Sequence, residues 1–418
     1  MANTRAQNRK RINPGTMIAA VDIGKRFHVG YFRGPNGEER TPFLFGNSAR
    51  DFKEFWRKAC EFSAKHGLKE IVVGFESSGP YAEPFFHYLR KKPVRLVQVN
   101  PVHTKRLKEL TGNSPNKTDK KDPRVIADVI SLNHFLTLVV PEGPAAELRR
   151  LTHARERAIT KRTADLNQLQ DLVFIIFPEF LQIMKNVSTK TAVYLLKNHP
   201  SPEHILALGF EPLAAQIRAI SRGRIARQKA EQLFQVAGVS VGIQEGKASI
   251  LLEIEHLVSQ IESGTSFIRD LEKEMAKHLE EIPYSKSILS FKGMGKVITA
   301  GLIGEVGDFK KFRTISEITK LAGLDLFEIS SGKHKGQRRI SKRGRPLMRK
   351  LLFFATLNMV RANGTMHEPY VRKLQGGMPK MKALIAIARK VLRVIFALAR
   401  DNSFYSEEHE EYRFKLAA

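Results

Sequence analysis

The chain has 418 residues, room for two to four domains, and 42% of them are hydrophobic, which excludes wholesale disorder. Lysine and arginine number 70 against 42 aspartates and glutamates, so the net charge is +28 and the pI is near 10.1. Such an excess points to a polyanionic partner, of which nucleic acid is the commonest. With Cys60 alone, no intramolecular disulfide or cysteine-based zinc site can form, and no apolar run is long enough to span a bilayer.

The opening, "MANTRAQNRKRINPG", lacks the apolar core of a signal peptide and reads as a basic arm over residues 1–14 of an intracellular, cytoplasmic protein. Residues 17–45 predict three strands, with Asn36-Gly37 as a hairpin turn. "ARDFKEFWRKACEFSAKHG" has helical periodicity and stops at Gly67. The buried-strand run "EIVVGFES" comes next, then a helix over about 81–91, the strand "VRLVQVN", a helix near 103–110 and another after Pro123. The order βββαβαβα predicts an α/β sheet with an antiparallel hairpin at its start. From Pro144 to about Phe177 the pattern is helical, with a seam through Ile159, Arg162, Leu166, Leu169, Val173 and Ile176. A second seam holds Ile254, Leu257, Ile261, Gly264, Ile268, Leu271, Met275 and His278, so the two helices pack on each other or on a second protomer. Between them lies a helical insert, roughly 180–241. The tail "YSEEHEEYRF" is acidic and reads as solvated.

Carboxylates make the first candidate site. Asp22 interrupts the apolar strand "IAAVDIGK", and Glu76 ends "IVVGFE", at the edge where sheets commonly offer ligands. Asp119 and Asp122 lie three apart in "NKTDKKDPRVIADVI". If the two strands are neighbours, these four acids face one rim, and their repulsion is relieved by a hard divalent cation such as Mg²⁺. Two such ions about 4 Å apart activate a nucleophile and stabilise the leaving oxygen in phosphodiester cleavage. Taken singly, each acid has a plainer reading. Asp22 caps the turn at Gly24, Asp122 is an N-cap ahead of Pro123, and Asp119 is a solvated loop charge.

The second candidate is "ISSGKHKGQRRISKRG". Residues 331–350 carry nine Lys or Arg and no Asp or Glu, a phosphate-binding composition that includes Lys333, Lys335, Arg338, Arg339, Lys342, Arg343 and Arg345. Ser331, before Gly332, has the chemistry of a nucleophile, as do Ser330 and Ser341, but no activating His–Asp pattern surrounds them and a loop hydroxyl is the plainer reading. "FKGMGKVITAGLIGEVG" resembles the second half of a helix-hairpin-helix, whose glycine turn offers helix N–H groups to a phosphate.

The segments "AAVDIGK", "GFESSGPYAEP", "VNPVHTKRL", "NKTDKKDPRVIA", "GMGKVITAGLIGEVGDFKKF" and "AGLDLFEISSGKHKGQRRISKRGRPLMRK" fall in the order of one family. The chain resembles the insertion sequence 110 transposases, the DEDD enzymes also described as bridge-RNA-guided recombinases, over about residues 17–135 and 286–400. The resemblance implies an RNase H-like (RuvC-type) α/β domain over residues 15–140, with Asp22, Glu76, Asp119 and Asp122 as a Mg²⁺-binding catalytic tetrad. It further implies a helical coiled-coil region with an insert (141–285), a mainly α transposase domain (286–400) and an acidic tail (401–418). In that domain Ser331 attacks DNA and forms a covalent phosphoserine link. It also implies donor and target DNA, a guide RNA whose base pairing chooses sequence, a dimer or tetramer assembled through the coiled coil with composite sites between protomers, and a nucleoid-associated setting in a bacterium or archaeon.

The sequence departs from the family at Pro123, where alanine is usual, and in "GLDLFE", which lacks a common proline. A helix continuing back through Asp119 would lose the hydrogen bond from residue 123. Two other readings stay open: a metal-dependent nuclease or junction resolvase using the tetrad alone, and a non-enzymatic nucleic-acid-binding scaffold.

Overall fold

The computed structural model describes residues 12–76, 79–111, 122–225, 227–328, 336 and 338–406. The chain divides into two compact units, Met1–Val139 and Val140–Ala418.

The first unit is built on a six-stranded sheet of β1 (Thr16–Asp22), β2 (Phe27–Arg33), β3 (Glu39–Gly46), β4 (Glu70–Glu76), β5 (Arg95–Val99) and β6 (Phe135–Thr137). Their spatial order is β3-β2-β1-β4-β5-β6. β1 is antiparallel to β2 and parallel to β4, β4 is parallel to β5, and β6 closes the edge antiparallel to β5. The strand alternation sorts side chains to two faces. Met17, Ala19 and Val21, with Ile71, Val73 and Phe75, pack under α1 (Ala49–Lys65) and α2 (Glu83–Leu89), among Phe32, Phe45, Phe52, Phe55 and Phe85. Ile18, Ala20 and Val72 meet the opposite layer, where α4 (Asp122–Ser131) lays down Ile126, Val129 and Ile130. Both faces are covered, which is why β4 reads as an unbroken apolar run. Ser48 caps α1, its hydroxyl accepting from the Asp51 N–H at 3.2 Å. α3 (Pro101–Thr111) leads from β5 towards α4.

Gly74 fixes how closely α4 approaches. A Cβ there would lie 2.2 Å from Ile130 Cδ1 and 2.9 Å from Val97 Cγ2. The bare backbone is what lets Ile130 seat on β4.

Among its described residues the second unit is helical apart from the antiparallel pair β7 (Leu326–Phe327) and β8 (Arg339–Ile340). Its frame is two long helices, α5 (Pro144–Ile176) and α11 (Lys247–Glu280). They run antiparallel along each other, with Arg155 paired to Glu272 at 2.7 Å and Gln168 Nε2 donating to Glu253 Oε1 at 2.5 Å. Two of the three seam residues that break the apolar pattern, Arg162 and Gly264, lie opposite each other: a Cβ on Gly264 would be 3.9 Å from Arg162 Cβ, and Arg162 Nη1 donates to Thr265 Oγ1 at 3.4 Å.

Each end of this pair is embedded in its own core. Leu169, Val173 and Ile176 with Ile254, Leu257 and Ile261 join the insert helices α6 (Pro178–Ile183), α7 (Lys190–Asn198), α8 (Pro202–Leu208), α9 (Phe210–Ser221) and α10 (Arg227–Ala237). Leu148, Met275 and Leu279 join α12 (Ser285–Leu289), α13 (Lys296–Val306), α14 (Ile315–Ala322), α15 (Pro346–Met359), α16 (His367–Gln375) and α17 (Lys380–Asp401). No helix of the described residues is long and apolar enough to cross a membrane.

Candidate functional site

Asp22 and Glu76 are the last residues of β1 and β4, one position beyond the parallel register pair Val21–Phe75. Alternation continues the row Ile18, Ala20, Asp22 and the row Val72, Gly74, Glu76, so both half-buried carboxylates belong to the face that α4 covers. Asp122 opens α4, with Pro123 in the first turn, where a missing N–H breaks no helical bond.

α3 reaches two of these acids, Glu76 and Asp122. Thr104, which is buried, places its hydroxyl oxygen 2.9 Å from both Glu76 Oε2 and the Pro101 carbonyl, two acceptors for its one hydrogen. One turn later, Lys108 Nζ pairs with Asp122 Oδ1 at 2.6 Å. The i, i+4 spacing puts both on one side of α3. The Asn100 side chain accepts from the Val102 N–H at 2.9 Å, fixing the start of this helix. α4 is held on its other flank by the Arg33–Asp128 ion pair and by the Arg124 guanidinium, 5.6 Å from the Tyr31 ring centre.

Asp119 lies outside the described residues. Among the described residues, no three His, Cys, Asp or Glu side chains converge closely enough to hold a metal ion. The donors present are all carboxylate oxygens, the ligand type a hard divalent cation takes. Thr104 and Lys108 were not singled out from the sequence; the signal for them was a hydroxyl and a cation four apart, just after a strand that ends beside an acid.

Ser331, Ser330, Lys333 and Lys335 lie outside the described residues, between β7 and β8. The flanks are described. Arg338 pairs with Glu328 at 2.7 Å, and Ser341 is committed to Asp325, its hydroxyl donating to Oδ1 at 2.5 Å. Arg339, Lys342 and Arg343 are exposed or nearly so, and Lys342 adopts a left-handed φ of 55°. The segment after β8 packs on the end of α14, where Gly344 comes so near Gly323 that a Cβ would lie 2.4 Å from its nitrogen. The turn Gly293-Met294-Gly295 leads into α13, whose first residue, Lys296, is exposed.

Arg345 differs from the exposed cations of this block. Its guanidinium turns inward onto Glu305 of α13, donating to the Glu305 carbonyl and standing 3.7 Å from its carboxylate. Glu305 is 1% exposed and also receives His153 at 2.8 Å and Arg149 at 3.5 Å. Burial alone would raise its pKa, but the His153 hydrogen bond and the two guanidinium charges hold it below the usual carboxylate value. Burial and the neighbouring Arg149 push Arg345 down to about 10, against the pull of Glu305. An acid inside the apolar helix "ITAGLIGEVG" was the sequence signal for this cluster.

A DEDD family model described as a transposase matches residues 19–178, and one described as "Transposase IS116/IS110/IS902 family" matches residues 285–371. The chain is 24% identical over 392 residues to the insertion element IS110 uncharacterized 43.6 kDa protein of Streptomyces coelicolor, covering 93% of this chain and 95% of that relative. It is 26% identical over 294 residues to the insertion element IS900 uncharacterized 42 kDa protein of Mycobacterium paratuberculosis, covering 69% and 73%. The insertion element IS116 uncharacterized 44.8 kDa protein of Streptomyces clavuligerus is 24% identical over 293 residues, covering 69% and 73%.

Proposed function

Because the chain belongs to the IS110 family of transposases, enzymes that act on DNA, we propose that its two units divide a strand-exchange reaction between them. In this reading the first unit is an RNase H-like domain of the RuvC type, and Asp22, Glu76, Asp119 and Asp122 are its acidic tetrad. The single observation that carries it is the pairing of β1 with β4, which ends two acids side by side on the face that a third acid's helix covers. Mg²⁺ held by such carboxylates would supply charge to the scissile phosphate and its nucleophile. Thr104 and Lys108 orient Glu76 and Asp122 from the same helix, so the acids are pre-positioned rather than solvated.

The second unit supplies Ser331. Its oxygen bonds to phosphorus as a deoxyribose oxygen leaves, so one phosphodiester replaces another and the joint can later be reversed onto a new strand. Arg339, Lys342 and Arg343 hold the DNA backbone beside it, and Lys333, Lys335 and Arg338 extend that surface. A structured noncoding RNA pairs with donor and target, and protomers assemble as a dimer or tetramer through the long helices.

The test is a trapping experiment with purified protein, element RNA and a labelled donor end. Wild type yields a denaturant-resistant protein–DNA adduct in Mg²⁺. Ser331→Ala removes the adduct and all cleavage, and Asp22→Ala blocks the reaction while leaving DNA binding in place. Cleavage that persists without adduct in Ser331→Ala would instead mean a nuclease or resolvase working through the acids alone. Wild-type activity in Asp22→Ala would remove the tetrad from the mechanism.

A further inference from the structure

The helical insert carries an unclaimed concentration of positive charge. Between Glu211 and Glu231 there is no acid, while Arg218, Arg222, Arg224, Arg227 and Lys229 crowd the turn from α9 into α10. All five are exposed. Arg227 is spoken for, paired with Glu211 and lying 4.7 Å from the Phe210 ring centre. The other four have no carboxylate partner among the described residues. Two other cations around the insert are paired, Lys197 with Glu262 and Lys247 with Glu203.

The start of this turn, through Ile225, is closed by its own hydrogen bonds. The Gly223 N–H donates to the Arg218 carbonyl at 2.9 Å, Arg224 N–H to Ser221 at 3.2 Å, and Ile225 N–H to the Ser221 hydroxyl at 3.3 Å. Ser221 is buried and Ile225 packs on the insert core. The backbone donors are used internally, so the projecting guanidinium groups are what the turn has left to offer. Arg222 caps α9 at φ 54°, ψ 45°, the left-handed region that favours glycine. A long cationic side chain kept at a glycine position points to use of the side chain, not of the backbone.

We propose that this turn is a second phosphate-binding surface, gripping the backbone of a nucleic-acid strand at a place separate from the basic block around β8. The shared chemistry is the phosphodiester, supplied by DNA or by RNA. Arg218, Arg222 and Arg224 each neutralise a phosphate, with Lys229 at the margin.

The test uses the full chain and two labelled probes, a mixed-sequence DNA duplex and an RNA hairpin, with affinity followed against salt by fluorescence anisotropy. In the triple variant Arg218→Gln, Arg222→Gln, Arg224→Gln, three lost phosphate contacts flatten the logarithmic salt slope by about 2 to 3. Wild type then loses about 40-fold more affinity for duplex DNA than the variant does between roughly 50 and 200 mM salt. A flattened slope for DNA alone, for RNA alone or for both identifies the strand that is held. A matched control, Arg57→Gln, Lys273→Gln, Lys277→Gln, removes cations already paired with carboxylates and keeps the wild-type slope. Arg222→Gly relaxes the backbone, so its melting temperature holds or rises while one contact's share of the slope is lost. Equal slopes for wild type and the triple variant on both probes would overturn the proposal, as would an equal flattening in the control.

Discussion

Gly74→Ala is the smallest change that should disturb the seating of α4. The added Cβ would sit 2.2 Å from Ile130 Cδ1 and 2.9 Å from Val97 Cγ2, against ordinary van der Waals contact at about 3.4–4 Å. Ile130 and Val97 are both fully buried, so neither can swing into solvent and α4 must lift by about 1 Å or Ile130 must leave its rotamer. Overpacking of this kind costs about 1–3 kcal/mol. Trp56, the chain's one tryptophan, lies in α1 of the first unit, so its fluorescence in a urea titration reports that unit alone. Ile130→Val removes the clashing Cδ1 and by itself costs about 0.5–1.5 kcal/mol. In the double variant most of the Gly74→Ala penalty should vanish, a coupling of about 1 kcal/mol or more. Because α4 begins with Asp122, Gly74→Ala should also depress strand cleavage and Ile130→Val should restore part of it. A neutral Gly74→Ala, or two strictly additive losses, would refute the claim that this glycine sets the helix height.

Glu305→Gln should destabilise the second unit by about 3–5 kcal/mol, because it strands Arg345 and Arg149 without their central anion; helical circular dichroism against urea measures this, and a loss under about 1 kcal/mol would contradict it. His28 is fully buried among Phe45, Phe52 and Phe85, and burial lowers its pKa against a smaller pull from Asn47. Its unfolded form therefore takes up a proton below about pH 6.5 that the folded unit refuses, so stability should fall as pH drops below that value. The difference between wild type and His28→Leu in Trp56-detected unfolding should change over that window, and a pH-independent difference would exclude His28 as the cause. Thr104→Val removes the hydroxyl held by Glu76 and should cost roughly 1 kcal/mol in the same assay, with a matching loss of cleavage; unchanged cleavage would make Thr104 a packing residue only.

The strands of the first unit were legible because their neighbours forced the pattern. "IVVGFE" is buried on both faces and reads as a continuous run, and Asn36-Gly37 announces its hairpin. β6 was not legible: it has three residues, too few for a period, and it exists only because β5 offers an edge. The long helices were legible from their spacing, but not the answer to what they pack on. That is set by pairs that cross between them, Arg155 with Glu272 and Gln168 with Glu253, which the spacing along either helix alone does not announce. For the candidate site, local composition singled out Glu76 at a strand end, Asp122 at a helix start and Asp22 as a charge inside an apolar run, though β1 in fact ends at Asp22. It did not give Thr104 and Lys108, whose importance comes from α3 crossing from one acid to the other. Arg345 looks like its basic neighbours in one dimension and is set apart only by Glu305, 40 residues away.

The antiparallel pair α5 and α11 behaves as a ruler. Some 33 residues of helix at 1.5 Å each give a span of about 50 Å, with one core embedded around each end. Trimming one rod alone would rotate every downstream side chain off the shared seam. Matched excisions of about seven residues from both would keep the faces aligned and shorten the reach. Relatives with a longer or shorter distance between their two cores are thus expected to differ here by paired, turn-sized steps, leaving the lobes at either end unaltered.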